Sequence, residues 1–340
     1  MVLDKRDMKI ITLLSSNARL PNNTIGKTLH ISGETANSRI NKLLTKQFIK
    51  GFKLGINYAL LGYEEYDVYI RLKNYSEKDL SKIIKELCAN KLVSWVASCF
   101  GKYDLRLSLI SAKREDFADF IEQLEIKQAA YIERYEIVQL TEKYKTSQTS
   151  LLSKLLDLDK ATILKLSAKG SGGENPHLHN FIEHGQAIEL DDKDKTLLSI
   201  LSIDPRASLV HCAAKIGITA EAVKYKMKDL EKKGVIRSYS AIANASLLGK
   251  MQAVFLFKLR KNQMKEMISF IASIDNVTSF VKLFGAWNFS VSIFASDVQE
   301  IHNTLMSFRN TFPEAIIDYE MLLLFETYKY PQLPEVVYEK

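Results

Sequence analysis

Polar and basic side chains recur along one side of a short segment near the start of the chain. In GETANSRINKLLTK the apolar residues Ala36, Ile40 and Leu43 have the spacing of one helix face. In the major groove of DNA, Asn and Arg can bond base edges and Lys can bond phosphate. A polar helix face taken alone is more often only solvated. The candidate contact residues are Thr35, Asn37, Ser38, Asn41 and Lys42, with Glu34 beside them and Arg39 on the flank.

A second segment, TAEAVKYKMKDLEKK, has the same pattern, because the chain repeats itself. Residues 190–249 align without a gap on residues 3–62 at an offset of 187, and about a quarter of the positions are identical. Further on, FGKYDL aligns with FGAWNF and YEIVQLTEKYK with YEMLLLFETYK, both at an offset of 184. A tandem duplication of a unit of roughly 145 residues therefore sets the architecture. The second segment buries Val223, Met227 and Leu230 and exposes Lys224, Tyr225, Lys226 and Lys228.

The residues around the first segment predict a helix-turn-helix. A helical stripe over residues 4–15 precedes a break at residues 17–21, a short helix over residues 22–29 and a turn at which Ser32 can cap the next helix. Two short helices joined by a tight turn can place the second one in the major groove. The alternating segments FIKGFKLGI and VIRSYSAI that follow predict a two-stranded wing, with Lys50, Lys53 and Arg237 as contacts to the DNA backbone.

The net charge of +7 is concentrated in these modules. Residues 1–62 carry ten Lys and Arg against three acidic residues, and residues 190–249 carry ten against seven. A basic excess in both copies favours a polyanion as partner.

There is no run of 18 apolar residues and no signal peptide at MVLDKRDMK, so we expect a cytoplasmic protein. Cys88, Cys99 and Cys212 lie in apolar surroundings without CxxC spacing, so we expect reduced core residues.

Beyond Gly62 the apolar period changes from that of a helix to that of a strand. YDVYIRLK alternates Val68, Ile70 and Leu72, and a helix, two strands, a further helix and a last strand follow. The order βαββαβ is that of a ferredoxin-like layer, and the second copy repeats it. The predicted fold class is α+β, with two winged helix-turn-helix domains alternating with two ferredoxin-like domains. The predicted segments are residues 1–62 and 190–249 (DNA-binding), 63–145 and 250–330 (βαββαβ), 146–189 (linker) and 331–340 (tail).

Together these features resemble the Lrp/AsnC family of transcriptional regulators, in a tandem form. The resemblance covers both halves apart from the linker and the tail. It rests on the LDxxDxxIL-type opening, the arginines of NAR and DPR, the capped helix with Arg39, the wing, the LLG that ends each module and the FGKYD hairpin. It implies a sequence-specific regulator that binds double-stranded DNA and senses an amino acid through βαββαβ domains, which also form the dimer. Because one chain holds both units, we expect an intramolecular pseudo-dimer, which can pair with further chains.

The chain departs from the family pattern at two places. Gln47 stands where the second copy has Gly234, the residue expected in left-handed geometry at the helix end. The family's Gly-x-x-Asp hairpin, which the resemblance implies as the effector site, is also altered in the second copy. An Asp pairs with an ammonium group, whereas a neutral Asn only bonds it, so we expect at most one competent effector site. In the alternative, the Asp only caps its hairpin. The hairpin residues are Gly101 and Asp104 in the first copy and Gly285 and Asn288 in the second.

The linker, and the whole chain, were also considered for metal binding and catalysis. SLLSKLLDLDKATILKLS has the spacing of an amphipathic helix, and KGSGGENPHLHN is typical of a flexible segment. His177, His179 and His184 have no Cys or carboxylate at a fixed close spacing, so we predict neither a metal nor a cofactor. P-loop, GxSxG, HExxH and paired-carboxylate signatures are absent, which argues against an enzyme.

Two alternatives to a specific regulator stay open. The first is an architectural nucleoid protein that wraps DNA with little sequence preference. The second is an enzyme like the siroheme decarboxylases, which use the same pair of domains and carry a His-x-Tyr-x-Arg type motif. The corresponding stretches here, LVSWVASCFGKYD and VTSFVKLFGAWNF, lack that His and Arg, although Trp287 and Asn288 give a partial match.

Overall fold

The computed structural model describes residues 3–146, 178–180, 185–260 and 264–330. The helices are α1 (Lys5–Ser16), α2 (Asn22–Leu29), α3 (Gly33–Thr45), α4 (Glu77–Ala89), α5 (Arg114–Gln128), α6 (Asp192–Ile203), α7 (Leu209–Ile216), α8 (Ala220–Lys232), α9 (Met264–Ser273) and α10 (Val298–Thr311). The strands are β1 (Ile49–Ile56), β2 (Glu64–Leu72), β3 (Val93–Phe100), β4 (Leu105–Ser111), β5 (Ile132–Thr146), β6 (Leu178–Asn180), β7 (Ile236–Ala243), β8 (Met251–Leu259), β9 (Val277–Gly285), β10 (Phe289–Ala295) and β11 (Ile316–Lys329).

These elements form two compact units, and each unit combines both copies of the repeat. The helical unit contains the chain up to Asn57 together with Leu190–Lys250, and the sheet unit contains Tyr58–Tyr144 together with the residues from Met251 onward. The helical unit thus holds both helix-turn-helix modules, and the sheet unit holds both βαββαβ sets.

Helices α1 and α3 of the first module begin at capping residues. The Asp4 carboxylate accepts a bond from the Asp7 amide and the Asp7 carboxylate accepts one from the Asp4 amide, which is a capping box at the start of α1. The Ser32 hydroxyl accepts a bond from the Thr35 amide at the start of α3. The predicted stripe of Ala36, Ile40 and Leu43 is buried, together with apolar residues of α1 and α2. The buried face of α3 therefore leaves its polar face outward.

The two predicted wing segments form a two-stranded sheet, and each copy supplies one strand. β1 pairs antiparallel with β7, so that Leu54 lies opposite Tyr239 and Phe52 opposite Ala241. Ala241 belongs to the second copy but completes the apolar core of the first module. The shared sheet therefore joins the two modules into one body.

The second sheet has nine strands, of which eight close on themselves. The order is β2-β4-β3-β11-β8-β10-β9-β5-β6, and β5 pairs again with β2. The first copy contributes β2, β3, β4 and β5, and the copies meet where β3 pairs with β11 and where β9 pairs with β5. Helices α4 and α5 cover the outer face through Ile83, Leu87 and Phe120. Closure removes the free edges that an open sheet presents to other chains.

The inner face of the closed sheet is mostly apolar, and the first copy buries a charged pair there. Its apolar residues come from both copies and include Tyr69, Val254 and Leu322. Asp67 is only 1% exposed, and its Oδ2 accepts from Arg106 Nη2 at 2.7 Å. The positions that correspond to these two residues in the second copy hold Val254 and Ser290. The ion pair thus belongs to one copy alone.

Cys99 and Cys212 are buried and Cys88 is half-buried, and all three are free thiols. Among the described residues, no group of three or more His, Cys, Asp and Glu is placed to hold a metal ion. In the same residues no helix has the length and apolarity to span a bilayer. The predicted amphipathic helix, two of the three histidines considered for a metal (His177 and His184) and the tail over 331–340 lie outside the described residues, whereas His179 lies in β6.

Gln47 adopts the backbone conformation that the sequence predicts for glycine. Its φ is +60°, and that of the corresponding Gly234 is +76°. A left-handed backbone brings a Cβ close to the following carbonyl, which costs a residue other than glycine roughly 1–2 kcal/mol. The first copy therefore has the same backbone geometry at the helix end as the second, with backbone strain at Gln47.

Gln47→Gly should raise the free energy of unfolding by about 0.5–1 kcal/mol, because glycine relieves this strain but loses more backbone entropy on folding. Gly234→Gln should lower it, since a Cβ at Gly234 would lie 3.0 Å from Cζ of Arg237. Chemical denaturation of the full chain measures both changes. Equal stability of Gln47→Gly and wild type would contradict the strain.

Candidate nucleic-acid interface

Helix α3 presents most of the predicted contact residues on one exposed face. Asn37, Ser38 and Lys42 are exposed, and so are Thr35 and Asn41. All five lie opposite the buried stripe of α3, because the helix packs on α1 and α2 through that stripe. The structure thus brings together hydrogen-bonding groups that are short enough to reach base edges from a helix in the major groove.

Helix α8 of the second copy presents a different surface. Thr219 caps it, and Val223, Met227 and Leu230 are buried as predicted. Lys224 and Lys228 are exposed, and the Tyr225 side chain between them is 73% exposed. Lysine suits phosphate contacts, and an aromatic ring can lie against the apolar edge of a base. The two recognition helices therefore offer different chemistry in the two copies.

Arg39 and Lys226 hold their recognition helices to the first helix of each module. Arg39 Nη1 lies 2.7 Å from Asp4 Oδ2 and 2.7 Å from Asp7 Oδ1. At the corresponding positions of the second copy, Lys226 Nζ lies 2.7 Å from Asp191 Oδ2 and 2.9 Å from Asp194 Oδ1. The hydrogen bond from Lys226 lowers the pKa of Asp191, against an opposing effect of burial.

This role was missed from the sequence, where both cations were assigned to DNA. The signal was present, since the two Asp pairs are identical in both copies and a cation recurs 35 residues after the first Asp of each pair. A cation that two carboxylates hold on the flank of the helix is already paired, and its side chain is less free to contact a phosphate. Lys50, Lys53 and Arg237 lie on the shared sheet and are half-buried there.

Arg19 and Arg206 form reciprocal contacts between the two modules that the sequence analysis did not predict. Arg19 Nη1 donates to the Pro205 carbonyl at 2.7 Å, and Arg206 Nη1 donates to the corresponding carbonyl of Ala18. Arg19 lies over the ring of Tyr239 and Arg206 over the ring of Phe52, at 5.5 and 5.4 Å. Burial and the nearby charge of Arg19 lower the pKa of Arg206. The sequence signal for these contacts was that both aligned positions hold an arginine.

The hairpin glycines lie against the last strand of the opposite copy. A Cβ on Gly101 would lie 2.6 Å from the Met321 carbonyl oxygen, and one on Gly285 would lie 2.7 Å from that of Ile137. Their φ angles, +136° and +143°, also favour glycine. Both glycines are therefore required by the packing of the closed sheet, whether or not a ligand binds nearby.

Asp104 and Asn288 each accept a hydrogen bond from the backbone amide at the corresponding position of their own copy. Asp104 Oδ2 accepts from the Leu72 amide at 2.7 Å, and Asn288 Oδ1 accepts from the Leu259 amide at 2.8 Å. Asn288 Nδ2 also donates to the Leu259 carbonyl at 2.7 Å. Arg71 Nη1 lies 3.3 Å from Asp104 Oδ1. These contacts favour the capping alternative for Asp104.

Comparison with known proteins agrees with this architecture. The AsnC-type helix-turn-helix domain matches residues 3–44 and 190–231. An HTH-type transcriptional regulator of Pyrococcus furiosus is 32% identical over 124 residues, which are 36% of this chain and 82% of that protein. The regulator LrpA of Mycobacterium tuberculosis is 27% identical over 124 residues, 36% of this chain and 83% of LrpA. The chain belongs to the Lrp/AsnC family of HTH-type transcriptional regulators.

The crystal structure of the siroheme decarboxylase NirDL shares the fold along almost the whole chain. The TM-score is 0.60 at 14% sequence identity, over 97% of this chain and 94% of that one. At this identity the likeness concerns the fold alone. The match covers both copies of the repeat and not only a single unit.

Lys226→Met should lower the free energy of unfolding by about 1 kcal/mol at pH 7, because Asp191 and Asp194 lose their cation. Since the folded pKa of Asp191 is lowered, this contribution is present above the ordinary aspartate pKa and is lost as the pH falls through the lower folded value. Denaturation between pH 7 and pH 3 should therefore show the two proteins converging. Lys228→Met, at an exposed position on the same helix, is the control and should change little. A difference that is unchanged at pH 3 would contradict the ion pair.

Asp104→Asn should preserve the fold with a loss of less than about 1 kcal/mol, because the second copy already closes its hairpin with an Asn. Asp104→Ala should lose about 1–3 kcal/mol, since the Leu72 amide then lacks its acceptor. Thermal unfolding compares the two variants. Equal losses would argue against the capping role.

Proposed function

We propose that this protein is a sequence-specific DNA-binding transcriptional regulator whose two unlike recognition helices contact one asymmetric site. The observation that carries the proposal is the exposed polar face of α3, held in the same body as the lysine-rich face of α8. Family membership supports DNA as the partner. The shared β1–β7 sheet and the reciprocal arginines support joint action of the two helices.

The proposed contacts divide by chemistry into contacts to bases and contacts to phosphates. The short polar side chains Asn37 and Ser38 suit base edges, whose hydrogen-bonding pattern differs between base pairs in the major groove. Lys42 and Lys228 are exposed and suit phosphates. We assign a supporting role to Arg39 and Lys226, since their carboxylate partners hold them away from the exposed face.

The sheet unit supplies the sensing part of the proposal. Of the two hairpins, that of the first copy is the better effector candidate, because Asp104 carries a charge and Asn288 has both amide atoms bonded to Leu259. An effector's ammonium group would have to displace Arg71 from Asp104. Pairing between separate chains follows from the family resemblance, and light scattering of the purified protein measures it.

We propose no catalytic role. Neither hairpin stretch carries the His and Arg of the siroheme decarboxylase motif, and Trp287 Nε1 is engaged by Glu136 Oε2 at 2.9 Å. A tetrapyrrole absorbance band in purified protein, or spectral change on titration with an iron porphyrin, would contradict this part of the proposal.

Fluorescence anisotropy with the protein's own upstream DNA and a shuffled duplex, over a salt series, tests the proposal. We expect a steep salt dependence on both duplexes and an affinity at least ~10³-fold higher for the specific site. Equal affinities would instead favour an architectural protein, and no binding at low salt would exclude the DNA hypothesis.

Two matched variants separate base reading from phosphate binding. Ser38→Ala should reduce the preference for the specific site and leave binding to the shuffled duplex unchanged. Lys42→Ala should weaken binding to both duplexes alike and lower the salt slope by about one. An equal loss on both duplexes from both variants would count against base reading by α3.

A further inference from the structure

Arg206 of the second copy reaches the recognition helix of the first through a single asparagine. Arg206 Nη2 donates to Asn22 Oδ1 at 2.9 Å, and Asn22 Nδ2 donates to Asn37 Oδ1 at 3.0 Å. Asn37 is exposed on α3, in the middle of the face proposed to contact bases. The three side chains therefore form a relay from the interface between the modules to the DNA-contacting surface.

The relay fixes the orientation of both amides. An arginine guanidinium has only donors, whereas an asparagine amide has an oxygen that accepts and a nitrogen that donates. Asn22 must turn its oxygen to Arg206, so its nitrogen faces Asn37. Asn37 must then turn its own oxygen to Asn22, which leaves its NH₂ group pointing outward.

Arg206 is itself held firmly enough to impose this order. Its Nη1 donates to the Ala18 carbonyl, and its guanidinium lies 5.4 Å from the centroid of the Phe52 ring. Asn22 begins α2 and is half-buried, so its side chain is placed by the helix. The exposed Asn37 is the last and least constrained member, and it takes its orientation from the other two.

From this geometry we propose that Arg206 is a positioning residue that makes Asn37 a hydrogen-bond donor toward DNA. A donor amide matches a guanine edge, where N7 and O6 both accept, better than an adenine edge, where N7 accepts but N6 donates. The inference rests on the proposed function and specifies it further. It assigns a guanine to the base pair that Asn37 contacts.

The second copy lacks the corresponding relay. Arg19 occupies the position of Arg206 but donates to the backbone carbonyls of Pro205 and Ala207. The positions of Asn22 and Asn37 are taken by Leu209 and Lys224, and leucine has no group to pass the bond on. The chain thus provides its own control, since Arg19 makes the same bridge between the modules without the link to a recognition helix.

The test is selection of full-length protein on randomised duplexes, followed by anisotropy on the selected site. The base pair read by Asn37 is the one whose preference is lost in Asn37→Ala. We expect guanine there, and replacing it by 7-deazaguanine should weaken wild-type binding about tenfold while leaving Asn37→Ala unaffected. Wild type without any sequence preference would refute the proposed function itself, and so is distinguishable from failure of the relay.

Four variants then examine the relay. Asn22→Leu, the residue of the second copy, and Arg206→Met should each reduce the preference for guanine over adenine about tenfold. Arg19→Met should keep it. Asn22→Asp still accepts from Arg206 but presents an acceptor to Asn37, which must turn its NH₂ inward and its oxygen outward. This variant should shift the preference toward adenine or cytosine, whose N6 and N4 amino groups donate.

For each variant, the ratio of its affinities for the guanine and adenine duplexes is compared with that of wild type. The ratio is used because Asn22→Asp adds a negative charge that weakens binding to every sequence. Thermal unfolding identifies any variant that fails to fold, and if Arg206→Met does so, the two Asn22 variants decide. An unchanged guanine preference in both Asn22 variants would overturn the proposal, and so would an A·T pair at the position that Asn37 reads.

Discussion

Each helix-turn-helix is followed by only one strand, whose backbone amides and carbonyls have no partners within their own copy. This constraint organises the helical unit. An isolated strand or hairpin is at best marginally stable in water, so β1 requires a partner strand. It finds that partner in β7 of the other copy. The chain bonds across the copies beyond the strands as well, with the Ala18 amide on the Tyr239 carbonyl and the Asn244 amide on the Phe48 carbonyl. The modules therefore cannot separate without exposing backbone groups and the core that Ala241 completes.

Duplication within one chain permits differences that a pair of identical chains could not keep separate. Asp67 and Arg106 form a buried ion pair in the first copy, where the second has Val254 and Ser290. Burying two charges is costly, and loss of one partner from such a pair costs about 3–5 kcal/mol. In a symmetric dimer the pair would occur twice on the inner face of the closed sheet. In this chain the pair occurs once, so the two copies differ at these positions of the sheet.

The sequence predicted those features that depend on local periodicity and on the repeat. The stripe of Ala36, Ile40 and Leu43 is buried because apolar spacing determines which side of a helix meets the core, and the alternation of Val68, Ile70 and Leu72 marks the strand face under α4 and α5. Periodicity does not reveal which copy supplies a partner. The contacts that Arg19 and Arg206 make between the copies were therefore missed. Arg39 shows a second limit, since its charge suits phosphate and carboxylate equally and only the fold brings Asp4 and Asp7 within 2.7 Å of it.

The same asymmetry has a consequence for how such a protein can act on DNA. Two identical recognition helices related by a twofold axis bind a palindrome, and the bound dimer is unchanged when the site is reversed. Here the first helix offers short polar groups and the second offers lysines and an exposed tyrosine. On the proposed asymmetric site, only one orientation matches each helix to its own half-site. Because both helices belong to one compact unit, the order of half-sites sets the direction of the bound chain along the duplex. A regulator of this kind distinguishes upstream from downstream through its own sequence, without help from a second protein.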